Sequence, residues 1–191
     1  LTSEQLRSEF PTLYQWLLER VKPERDHNNR ARLREQWWIF AEPRKTLRAA
    51  LHGLPRYIAT VETTKHRVFQ FLPHTVLPEH KLVAIALDDA FSLGILSSQL
   101  HICWALATGG TLEDRPVYSK STCFDTFPFP DEDTGLTPAL RERIAQLAEQ
   151  IDAHRKQVLA AGHQGLTLTG IYNVLAALRE GRALTAKEKT Q

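Results

Sequence analysis

At 191 residues, with 42% hydrophobic and 24% charged positions, the chain has the composition of an ordinary globular protein of one or two domains. No apolar run approaches the roughly 18 residues a membrane helix needs, and the N-terminus lacks a signal-peptide pattern. The net charge of +2 is uneven: residues 1–67 hold 13 Lys+Arg against 8 Asp+Glu and the remainder 11 against 14, so +5 faces −3. Such a bias permits a phosphate-facing surface in the first part without demanding one.

Two cysteines, Cys103 and Cys123, stand outside any CxxC and read as buried thiols of a reducing compartment. The chain has no methionine, which leads to the expectation that it is a piece of a longer protein.

The first 25 residues read as a helix in two pieces. Thr2 and Gln5 can form a capping box, Pro11 breaks the run, and Leu13, Trp16, Leu17 and Val21 form an apolar stripe that Pro23 ends. Asp26 can cap a short basic helix carrying Arg30, Arg32 and Arg34, "WWIF" (37–40) reads as extended or buried, and "PRKTLRAALHG" (43–53) is a short helix from Pro43 to the stop at Gly53.

Strand signals follow. "RYIATV" (56–61) and "HRVFQFL" (66–72) flank a polar "ETTK" as in a hairpin, the second strand half-buried with Arg67 and Gln70 among its apolar residues. "KLVAIAL" (81–87) reads as a central strand. Asp88 or Asp89 caps a helical stretch broken near Ser97-Ser98 and ended by Gly109-Gly110.

"TLEDRPVYSKSTCFDTF" returns as loop and strand, and Phe-Pro-Phe-Pro (127–130) closes the unit, because proline continues neither ladder nor helix. From Thr137 the period changes. Thr137 and Pro138 open a helix in which Leu140, Ile144, Leu147, Ile151, His154 and Val158 form a heptad seam, stopped by Gly162. A second amphipathic helix carries Ile171, Val174, Leu175 and Leu178 up to Gly181, so the tail reads as a helical hairpin, and Thr185 with Glu188 announces one more helix. The fold expected is α+β, a mixed sheet with packed helices followed by this hairpin. The expected domains are a lead-in at 1–30, a central domain at 31–130 and a helical domain at 131–191.

Catalytic patterns are scarce. An amino-methyltransferase needs a glycine-rich cofactor loop and an Asp/Asn-Pro-Pro-aromatic loop, and the chain has neither; nor has it a P-loop. Glu79-His80-Lys81 fits half of a metal-nuclease core, yet no Asp lies between Asp26 and Asp88 to complete it. Asp88-Asp89 could serve acid/base chemistry, but capping is the simpler use. The histidines lack ligand spacing, so no metal is assigned. Polar residues grouped on loops remain: Lys65, His66 and Arg67; Glu79, His80 and Lys81; Glu113, Asp114, Arg115, Tyr118 and Lys120. Taken singly, each reads as solvated surface.

Several segments in order, "NRARLREQWWIFAEPRKTLRAALHGLPRYIATVETTKHRVFQFLP", "LDDAFSLGILSSQLHICWALATGG" and "YSKSTCFDTFPFP", resemble the target recognition domain of MmeI-like restriction–modification proteins. The resemblance implies a bacterial cytoplasmic chain that reads duplex DNA for an adenine-specific methyltransferase domain of the same parent polypeptide. No cofactor is expected in this stretch; S-adenosylmethionine would belong to the parent. Glu113 and Arg115 stand where the family carries specificity-determining residues, and His80 and Lys81 align with further base readers. Val117 departs from the basic residue expected there. Lys65, Arg67, Lys120 and Arg44 are expected on phosphates, which set register, while base edges carry the sequence information. The competing reading is a helical protein-interaction module that docks through Leu147 and Ile151 of the heptad seam.

Overall fold

The computed structural model describes residues 1–190, in two compact units, Leu1–Ala50 and Leu51 onward. The first unit is helical. Helix α1 (Ser3–Glu9) opens on the expected capping box, in which Thr2 Oγ1 accepts from Gln5 N at 3.1 Å and Gln5 Oε1 from Thr2 N at 2.8 Å. After the break come α2 (Pro11–Arg20), α3 (Lys22–Asp26) and α4 (Ala31–Glu35).

Pro23 lies in the first turn of α3, where its missing N–H costs nothing, so it opens a helix instead of ending one. Asp26 closes α3 and pairs with Lys22 at 2.6 Å; it does not cap α4, ahead of which Asn28 Oδ1 accepts from Arg30 N at 3.0 Å. The core of this unit is Leu6, Leu33 and Trp37, with Tyr14 edge-on to Trp37 at 5.7 Å, while Leu13 and Trp16 of the expected stripe are exposed. Helix α5 (Lys45–Leu51) starts later than Pro43, because Arg44 has φ +51° and cannot enter a right-handed helix.

The second unit is built on a three-stranded sheet. Strand β1 (Arg56–Val61) is central, with β2 (Gln70–Pro73) and β3 (Leu82–Ile85) antiparallel on its two sides, Ile58 facing both Phe71 and Ile85. The sheet is antiparallel throughout, not mixed, and the expected central strand of 81–87 is an edge. Burial explains the exchange: Tyr57 to Thr60 of β1 are all buried, but only Ile85 of β3 is.

Helix α6 (Ala90–Ser97) is capped by Asp89 Oδ1, which accepts from Ser92 N at 2.8 Å. Ser98 breaks the run and caps α7 (Gln99–Thr108), which leaves at 60°. A small hairpin of β4 (Gly110–Leu112) and β5 (Arg115–Val117) follows, then a π-helical turn at Lys120–Phe124. Phe-Pro-Phe-Pro is packed inward: the Phe127 ring lies 4.4 Å from His101 and 5.2 Å from Phe129. Cys123 is buried and Cys103 exposed, so the expectation of two buried thiols holds for one.

Thr137 and Pro138 open α8 (Pro138–Ala160) as expected, but most of its seam is not the face it buries. Leu140, Leu147 and Ile151 are exposed; Ala148 and Asp152 are buried, with Ile144 and Ala145 beside them. The neighbour decides this. A Cβ at Gly94 of α6 would lie 2.5 Å from Ile144 Cγ2 and 3.4 Å from Ala148 Cβ, so the two helices meet backbone to side chain through small residues.

The same face carries polar groups to the free edge of β2. Asp152 Oδ1 accepts from Phe71 N at 3.1 Å, and Arg155 donates to Phe69 O at 2.9 Å. Glu149 takes two hydrogen bonds from Arg56, at 3.1 and 2.5 Å. An edge strand so covered offers no template to another chain. Helix α9 (Leu168–Arg179) meets α8 where Arg155 donates to the Tyr172 hydroxyl, and it also reaches the β1–β2 connection. The expected hairpin is therefore two helices with largely different partners. Thr185 and Glu188 form the announced capping box on the short α10 (Ala186–Lys189). Among the described residues, no single helix is long and apolar enough to cross a membrane.

Candidate nucleic-acid interface

The β4–β5 hairpin is where most of the loop residues singled out by sequence converge. It leaves α7 at Gly109, whose φ of −77° any residue can adopt. Glycine is needed there for space: a Cβ would sit 2.6 Å from Ala105 O, 2.6 Å from Val117 O and 3.1 Å from Cys123 Sγ. Gly110 pairs with Val117 and Leu112 with Arg115, which leaves Glu113-Asp114 as a two-residue turn.

Glu113 has φ +57°, a conformation that hairpins with a positive first turn residue assign to glycine. Glu113 and Arg115 therefore do not share one face of an extended segment, because the turn lies between them. Directly opposed residues of an antiparallel pair share a face, so Arg115 stands beside Leu112. Its nearest carboxylate is Asp114, at 3.9 Å. The tip is open, with the Arg115 side chain 63% exposed and Leu112 60% exposed.

The base of the hairpin is held by backbone. Thr63 bridges to Val117, Tyr118 N donates to Glu62 O at 2.8 Å and Thr64 N to Pro116 O at 3.3 Å. Glu62 N donates in turn to Lys81 O at 2.7 Å. Glu62 therefore ties together three of the loops read from sequence: 62–66, 79–81 and 113–118. His80 faces the Glu79 carboxylate at 3.0 Å, and Lys81 is exposed. Lys65 Nζ and His66 Nε2 both lie 2.9 Å from Asn173 Oδ1. Lys120 lies just past the hairpin and pairs with both oxygens of Asp125, at 2.8 and 2.6 Å. Arg44 lies in the first unit, 3.0 Å from Glu42.

Two assignments need correction. Arg67, expected on a phosphate, is only 9% exposed. It shares period-two parity with Phe69 and Phe71, both buried, and this alternation runs ahead of β2, which begins only at Gln70. Burial lowers its pKa, against smaller opposing contributions from Tyr118 and Cys123. Tyr118, grouped with the polar loop residues, is also buried, and burial first of all pushes its pKa up. Its hydroxyl lies 2.9 Å from His101 Nε2. His101 is fully buried, and desolvation, with the nearby Arg67 charge, lowers its pKa to about 4. At neutral pH this pair is uncharged and serves as packing.

Sequence reasoning missed Asn173 and Leu112. Asn173 lies within the apolar run "IYNVL" of α9, and a residue of poor helix propensity in that place was the one available signal. Among the described residues, no three His, Cys, Asp or Glu side chains gather as metal ligands would.

A ribbon locked at its base by the core, charged and open at its tip, and flanked by loops that carry Lys65 and Lys81 defines a recognition domain. The chain belongs to the MmeI target recognition domain family, whose profile matches residues 3–131. It is 31% identical over 85 residues to "DNA methyltransferase A" of Bacillus subtilis (strain 168), covering 44% of this chain and 8% of that protein. Its fold is similar to that of the Type IIL restriction-modification enzyme MmeI, solved in complex with DNA, with a TM-score of 0.59 and 19% identity over 91% of this chain. The chain spans 22% of that structure's chain.

Proposed function

We propose that this chain reads the sequence of duplex DNA through the tip of the β4–β5 hairpin. It does so for a methyltransferase domain of the same parent polypeptide, which would use S-adenosylmethionine. The observation that carries the reading is the exposed tip, Leu112 to Arg115, on a fixed base. A two-stranded ribbon fits the major groove, where arginine matches guanine N7 and O6 and a carboxylate accepts from the cytosine amino group. Arg115 and Glu113 supply those two chemistries, with His80 and Lys81 on the adjoining loop as further readers. Lys65 and Lys120 take phosphates and Arg44 acts from the first unit; Arg67 leaves this set. Lys120 must exchange Asp125 for phosphate, which an exposed ion pair allows at little cost.

The test is selection of bound duplexes from a random pool, repeated at two salt concentrations. A motif should be enriched. Arg115→Ala should lose preference at one position by about 1–3 kcal/mol. Lys65→Ala and Lys120→Ala should each weaken all sequences alike and reduce the salt slope by about 0.9. If Arg115→Ala and Glu113→Ala keep the parent motif unchanged, the hairpin is not the reader. The exposed Leu147 and Ile151 favour a second reading, docking of another protein segment on α8. Partner binding that survives loss of the loop charges and fails in Leu147→Ser would support it.

A further inference from the structure

Arg67 is a costly residue in its position. Its guanidinium is buried, and its partners are one hydroxyl and three carbonyls rather than a carboxylate. Nη1 donates to Thr60 Oγ1 at 3.2 Å and to Val61 O, and Nη2 donates to Glu62 O and Pro116 O, each at 3.2 Å. Its flat face lies 5.0 Å from the Tyr118 ring centre. A buried charge satisfied only by neutral acceptors costs stability compared with an apolar residue of similar volume, and Phe69 and Phe71 show that the strand has such residues at the same parity.

What the guanidinium does is geometric. Three of its acceptors belong to the end of β1 and its exit, and the fourth belongs to β5. Pro116 has no N–H to give, so backbone pairing on this side of the ribbon thins to the two bonds, from Tyr118 and Thr64, that make the Thr63–Val117 bridge. With so few ties, a two-stranded ribbon can rock about its base. We propose that Arg67 is a positioning residue: a two-ended brace between β1 and β5 that sets the angle at which the hairpin presents Leu112, Glu113 and Arg115. Its fork makes a lysine no substitute, since an ammonium has three donors on a flexible stem and no plane to lie on Tyr118. The inference rests on the hairpin being the DNA reader, and its test separates the two.

Hydrogen exchange and duplex selection are measured on the full chain with Arg67→Lys, Arg67→Met and the milder Thr60→Val, which removes one brace bond together with the hydroxyl's own bond to Val68 O. In Arg67→Lys the amides of Tyr118 and Thr64 should exchange at least ten-fold faster, with Thr60→Val between it and the wild type, while the β1–β2 amides keep their protection. Discrimination against a mismatch at the position Arg115 reads should fall about ten-fold, and the salt slope of Arg67→Met should be unchanged because the charge meets no phosphate. Hairpin protection equal to wild type in Arg67→Lys and Thr60→Val overturns the brace. Protection lost evenly across the sheet overturns it too, leaving a core residue. A salt slope lowered by about one in Arg67→Met would make Arg67 a phosphate contact after all. If the wild-type chain selects no motif, the DNA reading fails, and the exchange pattern alone decides whether Arg67 holds the hairpin.

Discussion

The base and the tip of the β4–β5 hairpin are separated by only a few residues and obey opposite rules. At the base, Gly109 has no room for a methyl group, Tyr118 is buried against His101, and Arg67 gives hydrogen bonds to β1, its exit and β5. At the tip, Leu112 and Arg115 are exposed and Glu113 occupies a left-handed backbone position without being glycine. Strain of that kind persists where the surroundings enforce it, and it concentrates at functional sites. The contrast teaches that aim and chemistry are divided along the ribbon. The core fixes direction, and in the function proposed above the side chains free of the core supply the contacts.

Four measurements test the division. The largest effect belongs to the base. Gly109→Ala should cost about 3 kcal/mol, since its Cβ meets two backbone oxygens that cannot move aside, at the upper end of overpacking penalties. Gly110→Ala, one residue on and with nothing within 4 Å of its added Cβ, should stay within about 0.5 kcal/mol. Equal effects at the two glycines in chemical denaturation would erase the contrast.

The second measurement concerns pH. His101 has a folded pKa near 4, below its ordinary 6.5, so the unfolded chain takes up a proton first as pH falls. Its contribution is fully present above about pH 6.5 and is lost progressively down to about pH 4, roughly 3 kcal/mol in all. Thermal melts across that window should show the slope, and His101→Gln should flatten it.

Third, exchanging the tip charges (Glu113→Lys with Arg115→Asp) in the parent enzyme should shift the preference at one position of the methylated site, with about 1–3 kcal/mol lost on the original pair. Because a turn separates the two residues, the single variants should act at distinguishable positions or strengths; identical single and double effects would mean that both read one base pair. Fourth and smallest, Glu113→Gly should stabilise the fold by about 1 kcal/mol by relieving the left-handed backbone while weakening selection. Unchanged stability would mean that the turn carries no strain.

Much of the local structure was legible because it is written in short-range bonds. The caps at Thr2, Asp89, Thr137 and Thr185 each join residues three apart, and all four form. The break at Ser98 and the antiparallel pairing of 56–61 with the strand after it follow from the same kind of signal. The candidate site was half legible. The loops holding Lys65, Lys81 and Glu113 to Arg115 stand out in the sequence, and Glu62 joins them by backbone, but the turn that separates Glu113 from Arg115 follows only from the pairing of β4 with β5. Arg67 carried its own warning, since it shares parity with Phe69 and Phe71, yet charge outweighed period in the reading.

The sequence by itself determined where helices begin, where chains turn and which family the chain belongs to, because caps, prolines and motif order act within a few residues or along the chain. Only the tertiary structure decided which face of α8 is buried, which strand is central, and where Arg67 and Asn173 point. Those outcomes depend on partners far away in sequence: Ile144 against Gly94, Asp152 on Phe71, Arg67 on Pro116 and Asn173 on Lys65. A heptad seam says that a helix has an apolar stripe. It does not say whether a neighbour offers a glycine that draws in one residue of that stripe with the small residues beside it, and that close approach is a property of two surfaces rather than one.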